Sequence, residues 1–336
     1  MKHHPSHGSL RSGRLVLFLA GFLWGLHALA AEALPSWNDT APRRALTDFV
    51  DRVTREGGAD YLPPSARVAV FDNDGTLWCE QPMYPQVAFA VDRLRALAPQ
   101  HPEWRRQAPF KKLFEAGPDR LVSVSNADLI EIIKVTHTGM TTEEFAAVVR
   151  DWIATARHPR TGRLYTEMVY QPMLELLAHL RSRQFRTFIV SGGGVEFMRV
   201  WADRVYGVPP DQVVGTTFKN RYEMRDGGPV ILRLPEIEFV DDGPGKPLGI
   251  QKFIGQRPVM AFGNSDGDLQ MLQWTTAAAG PRFGLLVHHT DSVREYAYDD
   301  PSSVGQLNAA LKAAPGAGWT VVSMKEDWAR IFPWAP

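Results

Sequence analysis

Two aspartates two positions apart, Asp72 and Asp74, combine residue types and spacing that could do chemistry. They follow an apolar run at 68–71 and precede a turn sequence, Gly75-Thr76. Because side chains alternate along a strand, residues i and i+2 share a face, and both carboxylates can point into one site. Two like charges that close need a cation or a shared proton to coexist. A plain Asp-rich turn would use the same residues, so the pair alone leaves both interpretations open.

A second polar segment follows the strand pattern at 187–190. It consists of Ser191, Gly192 and Gly193 and leads into a helical pattern. A strand, a Ser-Gly turn and a helix start together offer an anion a hydroxyl group and backbone N–H groups. The run of three glycines at 192–194 is also typical of a tight turn with no ligand.

A third polar segment follows the strand pattern at 258–262 and contains Asn264 and Asp268. These residues lie four positions apart at a predicted helix start, so they can face one direction. Oxygen ligands of this kind suit Mg²⁺, while an ordinary acidic helix N-terminus would explain the same composition. Lys246 lies in a Gly-Pro-rich turn before this strand and by itself resembles any solvated lysine.

The elements that must position these groups alternate between strand and helix. Helical patterns occur at 195–206 and 248–254, and residues 81–178 are helical in pattern throughout. This alternation predicts an α/β fold with a parallel sheet flanked by helices, and with a helical insertion after the first motif. The predicted strands are 67–71, 187–190, 212–216, 229–232, 258–262 and 284–287.

In this order, the four polar elements resemble the motifs of the haloacid dehalogenase-like hydrolase superfamily. The helical insertion and the spacing from Lys246 to the last motif are similar to its phosphoserine phosphatase branch. The resemblance implies a Rossmann-like core formed by 31–80 and 180–336, with a helical cap at 81–179. An insertion at the catalytic edge of the sheet is placed to act as a lid.

The resemblance also implies a phosphatase that hydrolyses a small phosphate monoester through an aspartyl-phosphate. Asp72 would be the nucleophile, and Asp74 would protonate the leaving alcohol and later deprotonate water. The transferring oxygens would be held by a hydroxyl, backbone amides and an ammonium group, namely those of Ser191, Gly192, Gly193 and Lys246.

Mg²⁺ is the cofactor that the resemblance implies. Its ligands would be a carboxylate oxygen of Asp72, the carbonyl of Asp74 and the side chain of Asn264, with Asp268 binding directly or through water. The family more often has Asp where this chain has Asn264, so we expect weaker binding of Mg²⁺ unless a neighbouring acid compensates. Glu80 resembles the glutamate that reads the substrate amino group in phosphoserine phosphatases, but it lies one residue early.

Three alternatives remain open at this point. They are a phosphoserine phosphatase proper, a phosphotransferase with an acceptor other than water, and a phosphate-binding protein that has lost turnover. His288 and His289 follow the last predicted strand and could contact substrate or be structural. Cys79 is the only cysteine, and without an evident partner base we interpret it as a packing residue.

The charge balance bears on nucleic-acid binding, and the amino-terminal sequence bears on where the protein is located in the cell. The 336 residues include 37 basic and 37 acidic side chains, which gives no general reason to expect nucleic acid as a partner. Residues 1–30 combine basic residues, a short apolar run and a small-residue site ending at Ala30, which predicts a signal peptide. We therefore expect an exported protein, periplasmic or secreted, without stable membrane insertion after cleavage, although a retained anchor is the alternative.

Overall fold

A seven-stranded sheet lies at the centre of the computed structural model, which describes residues 34–115, 126–225 and 227–335. The strands are β1 (Val68–Phe71), β2 (Arg186–Gly194), β3 (Val213–Arg225), β4 (Gly228–Phe239), β5 (Met260–Gly263), β6 (Phe283–His288) and β7 (Thr320–Ser323). Their order is β4-β3-β2-β1-β5-β6-β7. Neighbouring strands run parallel except for β3 and β4, which are antiparallel. The predicted α/β class is confirmed, with one antiparallel strand at its edge.

Helices cover the sheet and form the insertion that follows β1. They are α1 (Ala41–Thr54), α2 (Pro85–Leu97), α3 (Phe110–Glu115), α4 (Asn126–His137), α5 (Thr142–Ile153), α6 (Gln171–Ser182), α7 (Val195–Arg199), α8 (Ala202–Tyr206), α9 (Gly245–Gly249), α10 (Leu269–Thr276), α11 (Ala309–Ala317) and α12 (Met324–Asp327). A capping box precedes α5, because Thr141 Oγ1 accepts a hydrogen bond from the N–H of Glu144 and Glu144 Oε2 accepts one from the N–H of Thr141. The insertion has its own small apolar cluster, which includes Ala90, Leu94 and Ile132.

The central strand β1 is apolar because both faces of the sheet are covered. Ala69 and Phe71 belong to the larger core cluster on one face, and Val68 and Val70 belong to the cluster on the other. All four residues are fully buried, as expected for a parallel strand between two helical layers. Phe71 stacks on Phe262 of β5 with a centroid distance of 4.3 Å.

The strand register brings the polar segments to one edge of the sheet. Phe71 pairs with Ile189 of β2 and with Phe262 of β5. The residues that follow these three positions therefore lie side by side at one edge of the sheet, although β2 itself continues through Gly194. This places the Asp72 segment between the segments that begin at Ser191 and at Asn264.

Strands β3 and β4 differ from the short parallel strands that the sequence predicts. They form a long antiparallel hairpin that projects from the sheet to the insertion. Arg233 of β4 is buried there, donates from Nε to the carbonyl of His137, and lies 3.0 Å from Glu196. Its guanidinium lies 4.1 Å from the centroid of the Phe145 ring. The sequence pattern indicated only short parts of this hairpin because its outer part is exposed and polar, as at Lys219, Asn220 and Arg221.

Other boundaries also differ from the predictions. The helix expected over 195–206 is two short helices, α7 and α8, with a break at Trp201, and β7 is absent from the predicted strands. Helix α9 continues into a π-helical turn, Ile250–Ile254. The predicted signal peptide lies outside the described residues, and the cap boundaries at 81 and 179 stay predictions. None of the helices in the described ranges has the length and apolarity needed to cross a membrane.

Candidate active site

Asp72 and Asp268 are bridged by the buried ammonium group of Lys246. Lys246 Nζ donates to Asp72 Oδ1 and to Asp268 Oδ1, both at 2.6 Å. Asp72 leaves the central strand, Asp268 comes from the turn before α10, and Lys246 lies in α9. Burial, followed by the charge of Asp268, raises the pKa of Asp72 well above its ordinary value, and Lys246 opposes that rise. Burial alone would lower the pKa of Lys246, but the two carboxylates raise it, so the ammonium stays charged.

Asp74 lies in a tight turn that keeps its side chain partly exposed beside Asp72. The N–H of Leu77 closes this turn on the carbonyl of Asn73, and Gly75 adopts a φ of 77°. Trp78 Nε1 donates to Asp74 Oδ1 at 2.8 Å. Burial raises the pKa of Asp74, although the hydrogen bond from Trp78 opposes it. A carboxyl with a raised pKa can hold a proton near neutral pH and give it up to a substrate.

The segment after β2 presents Ser191 and the following glycines at the same edge. Strand β2 continues through Gly194 instead of ending before Ser191 as predicted. The N–H of Gly193 donates to Ser191 Oγ at 3.1 Å, and the N–H of Gly194 donates to Gln86 Oε1 at 2.7 Å. In this arrangement the amides of Gly193 and Gly194 are engaged within the protein. The predicted anion site therefore depends on exposed Gly192 and on Ser191.

Asn264 directly follows β5, and its side-chain amide is hydrogen-bonded to two residues of the segment after β1. Its Oδ1 accepts from Thr76 Oγ1 at 3.0 Å, and its Nδ2 donates to Glu80 Oε1 at 2.7 Å. Asp268 stabilises the turn after β5, because its Oδ2 accepts hydrogen bonds from the N–H groups of Asn264 and Ser265. Both oxygens of Asp268 are thus engaged by donors, and its direct binding of a metal stays a prediction.

Glu80 is buried and accepts a hydrogen bond from Asn264. Its Oε1 also accepts from Tyr298 Oη at 2.8 Å. Burial raises the pKa of Glu80 well above its ordinary value, and the hydrogen bond from Tyr298 opposes this. The side chain at the position that resembles a substrate-reading glutamate is therefore hydrogen-bonded to Asn264 and Tyr298.

The oxygen atoms at this edge fit a hard divalent cation. Within the described ranges, no hydrogen bond ends on Oδ2 of Asp72 or on the carbonyl oxygen of Asp74. The Oδ1 atom of Asn264 accepts one hydrogen bond and retains a second lone pair. The described residues contain no group of three His, Cys, Asp or Glu side chains placed to hold a metal. A set of one carboxylate, one carbonyl and one amide, completed by water, is the kind that Mg²⁺ accepts.

Two residues near the site, Gln86 and Tyr298, carried no signal in the sequence, whereas His289 was a candidate for either a substrate contact or a structural role. Gln86 of α2 contacts the glycine segment and His137, and Tyr298 reaches Glu80 from the loop after β6. His289 is buried, with Nε2 2.8 Å from the carbonyl oxygen of Gly75, which makes it a support of the Asp74 turn. These contacts join residues far apart in sequence, and no local pattern marks them.

The two remaining candidates take different places. His288 is partly exposed, with Nε2 3.4 Å from Asp299. Cys79 is buried, and its Sγ donates to Glu295 Oε1 at 3.1 Å. Burial raises the pKa of the Cys79 thiol, which keeps it protonated and unreactive.

Comparison with known families identifies one match. The model of the haloacid dehalogenase-like hydrolases matches residues 69–273, which is more than half of the chain. That span contains Asp72, Asp74, Ser191, Lys246, Asn264 and Asp268. No match is found among curated proteins.

Solved structures include similar folds at low sequence identity. A conserved functionally unknown protein from Anaerococcus prevotii is 15% identical, with a TM-score of 0.53, over 83% of this chain and 90% of its own. A protein of unknown function from Bordetella pertussis is 14% identical, with a TM-score of 0.46, over 77% and 98%. A probable phosphoserine phosphatase from Vibrio cholerae is 14% identical, with a TM-score of 0.36, over 75% and 65%. At these identities the first likeness concerns the fold alone.

Proposed function

Because the chain belongs to the haloacid dehalogenase-like hydrolase family, we propose that it is a phosphatase that hydrolyses small phosphate monoesters. The observation that carries this proposal is the buried Asp72 carboxylate, held by Lys246 at the carboxyl end of the central strand and next to Asp74. This is a fixed nucleophile with a neighbouring acid, which is what an in-line displacement at phosphorus requires.

The proposed reaction has two displacements at the same phosphorus atom. In the first, a carboxylate oxygen of Asp72 bonds to phosphorus, the ester P–O bond breaks, and Asp74 gives its proton to the leaving alkoxide. In the second, Asp74 removes a proton from water, the water oxygen bonds to phosphorus, and the acyl-phosphate P–O bond breaks to restore Asp72. General acid–base help of this kind contributes about 10²–10⁴-fold to the rate.

The remaining groups stabilise negative charge on the transferring phosphoryl group. Lys246 offsets the charge of Asp72 and keeps its carboxylate oriented, and Ser191 with the amide of Gly192 would bind the phosphoryl oxygens. Mg²⁺, held by Asp72, the carbonyl of Asp74 and Asn264, would reduce the repulsion between an anionic nucleophile and an anionic substrate.

The substrate class that we propose is a small ester other than phosphoserine. Glu80 would have to face the insertion to read an amino group, yet its Oε1 is engaged by Asn264 and Tyr298. With the predicted signal peptide, we propose an exported enzyme that releases phosphate from small esters. Transfer to an acceptor other than water remains the alternative reaction, and product analysis in ¹⁸O-labelled water separates the two.

The test is an assay of the protein lacking residues 1–30 against a panel of phosphate esters, with and without added Mg²⁺. We expect Mg²⁺-dependent release of phosphate and its loss in Asp72→Asn, which keeps the shape of the side chain but removes the nucleophile. Asp39→Asn is the matched control, because the Asp39 side chain is 74% exposed and lies outside the site. Phosphate release that persists in Asp72→Asn contradicts the mechanism, and phosphate binding without turnover would favour a binding protein.

A further inference from the structure

The side-chain amide of Asn264 is hydrogen-bonded at both its nitrogen and its oxygen. Its Nδ2 donates to Glu80 Oε1, and its Oδ1 accepts from Thr76 Oγ1. Glu80 in turn accepts from Tyr298 Oη at the same oxygen. Because Glu80 Oε1 acts as an acceptor towards both Tyr298 and Asn264, it specifies which end of the Asn264 amide is nitrogen.

The carboxylate of Glu80 has little freedom to move away from Asn264. A side chain on Gly75 would overlap both Asn264 Nδ2 and Glu80 Oε1, and one on Gly305 would overlap Glu80 Oε1. Both glycines adopt positive φ angles, 77° and 66°, which favour glycine. Glu80 is also 1% exposed, so solvent offers its carboxylate no alternative partner.

This geometry accounts for an asparagine at position 264. An aspartate there would place a second carboxylate at about the 2.7 Å distance that now separates Asn264 from Glu80. Two carboxylates this close cannot both ionise, so the gain in charge would be lost to repulsion. Neighbouring acids are engaged elsewhere, since Asp266 Oδ1 accepts from the N–H groups of Asn308 and Ala310.

We propose that Glu80 is a positioning residue that orients the amide of Asn264. With Nδ2 engaged by Glu80, Oδ1 is the atom of Asn264 that faces a cation. An amide oxygen held in one orientation needs no rearrangement to bind a cation, so Glu80 supports Mg²⁺ binding by Asn264. This inference depends on the proposed Mg²⁺-dependent function, and its test reads the pair separately from turnover.

The experiment is a double-mutant cycle of Asn264→Asp and Glu80→Gln, read by the Tm of the metal-free protein and by the Kd for Mg²⁺ from calorimetry. We expect Asn264→Asp to lower the Tm by about 3 °C or more and not to tighten Mg²⁺ binding. Glu80→Gln keeps an acceptor for Asn264 but can also present its NH₂ group, so the orientation of the Asn264 amide is no longer fixed, and we expect little change in Tm but weaker Mg²⁺ binding. In the double variant the amide at position 80 donates to the carboxylate at 264, which should recover most of the Tm and of the Mg²⁺ affinity.

Asn220→Asp, on an exposed position of the hairpin, is the control for an added negative charge. An Asn264→Asp variant as stable as wild type, or losses that simply add in the double variant, would overturn the proposal. If the Tm values of the cycle are non-additive but the wild-type protein neither binds Mg²⁺ nor hydrolyses any ester, the proposed function is refuted and the pairing of Glu80 with Asn264 is not.

Discussion

The carboxyl group of Asp241 is the basis for a prediction about pH and stability. Asp241 follows β4 and is fully buried, and the backbone N–H of Ser191 is the one hydrogen-bond donor that the described residues offer its carboxyl group. Burial raises the pKa of Asp241 from 3.8 to about 8, despite the opposing charge of Lys246. At neutral pH the folded protein therefore keeps this carboxyl protonated.

The sign and size of the effect follow from linkage. The unfolded chain releases the Asp241 proton near pH 4, whereas the folded protein retains it to about pH 8. The folded state therefore binds more protons between these values, and stability falls as pH rises through that window. Each unit corresponds to 1.36 kcal/mol, so the free energy of unfolding should fall by about 4 kcal/mol between pH 5 and pH 8 because of Asp241 alone.

Asp241→Asn removes the titrating proton while preserving the shape of the side chain. We expect its free energy of unfolding, relative to wild type, to rise by about 4 kcal/mol from pH 5 to pH 8. Urea unfolding at half-unit pH steps measures this difference, and the raised pKa values of Asp72, Asp74 and Glu80 contribute equally to both proteins. Asp39→Asn, at an exposed position, should run parallel to wild type. If Asp241→Asn also runs parallel to wild type, the reasoning is refuted.

Three further predictions concern buried contacts of the site and of the hairpin. Lys246→Met leaves two buried carboxylates without their shared ammonium, and urea unfolding at pH 7 should show a loss of about 3–5 kcal/mol. Gly75 and Gly139 have similar positive φ angles, 77° and 78°, but only at Gly75 would an added Cβ overlap Asn264 and Glu80. Gly75→Ala should therefore lower the free energy of unfolding more than Gly139→Ala, and equal losses would contradict the overlap. Arg233→Met removes the ion pair with Glu196 and the hydrogen bond to the carbonyl of His137. Amide hydrogen exchange at residues 138–145 should become faster, and unchanged exchange would show that Arg233 does not stabilise this segment.

Much of the site could be predicted because its chemistry follows strands. Asp72 and Asn264 each come within two residues after a buried apolar run, and Ser191 does the same. Parallel strands end at one edge of a sheet, so these short segments meet there whatever lies between them. The expectation for Lys246 came from family resemblance, and the structure places its ammonium group 2.6 Å from Asp72.

The errors in secondary structure have a common physical cause. The hairpin of β3 and β4 has one edge on the insertion and much of its surface in solvent, so it shows neither an apolar run nor clean alternation. The split of the predicted helix at Trp201 follows from burial of that indole against Trp78, with ring centroids 4.4 Å apart. Packing between distant segments decided both features.

The sequence by itself determined the class of fold, the order of the motifs and the residue types at the catalytic edge, because each is encoded within a few consecutive residues. Tertiary structure alone decided what Glu80 does. A glutamate in a loop is as compatible with a substrate contact as with a buried support, and its partner Asn264 lies 184 positions away. Turns at Gly75 and Gly305 bring that carboxylate against the amide, and the close approach of these segments explains why an asparagine suits the site.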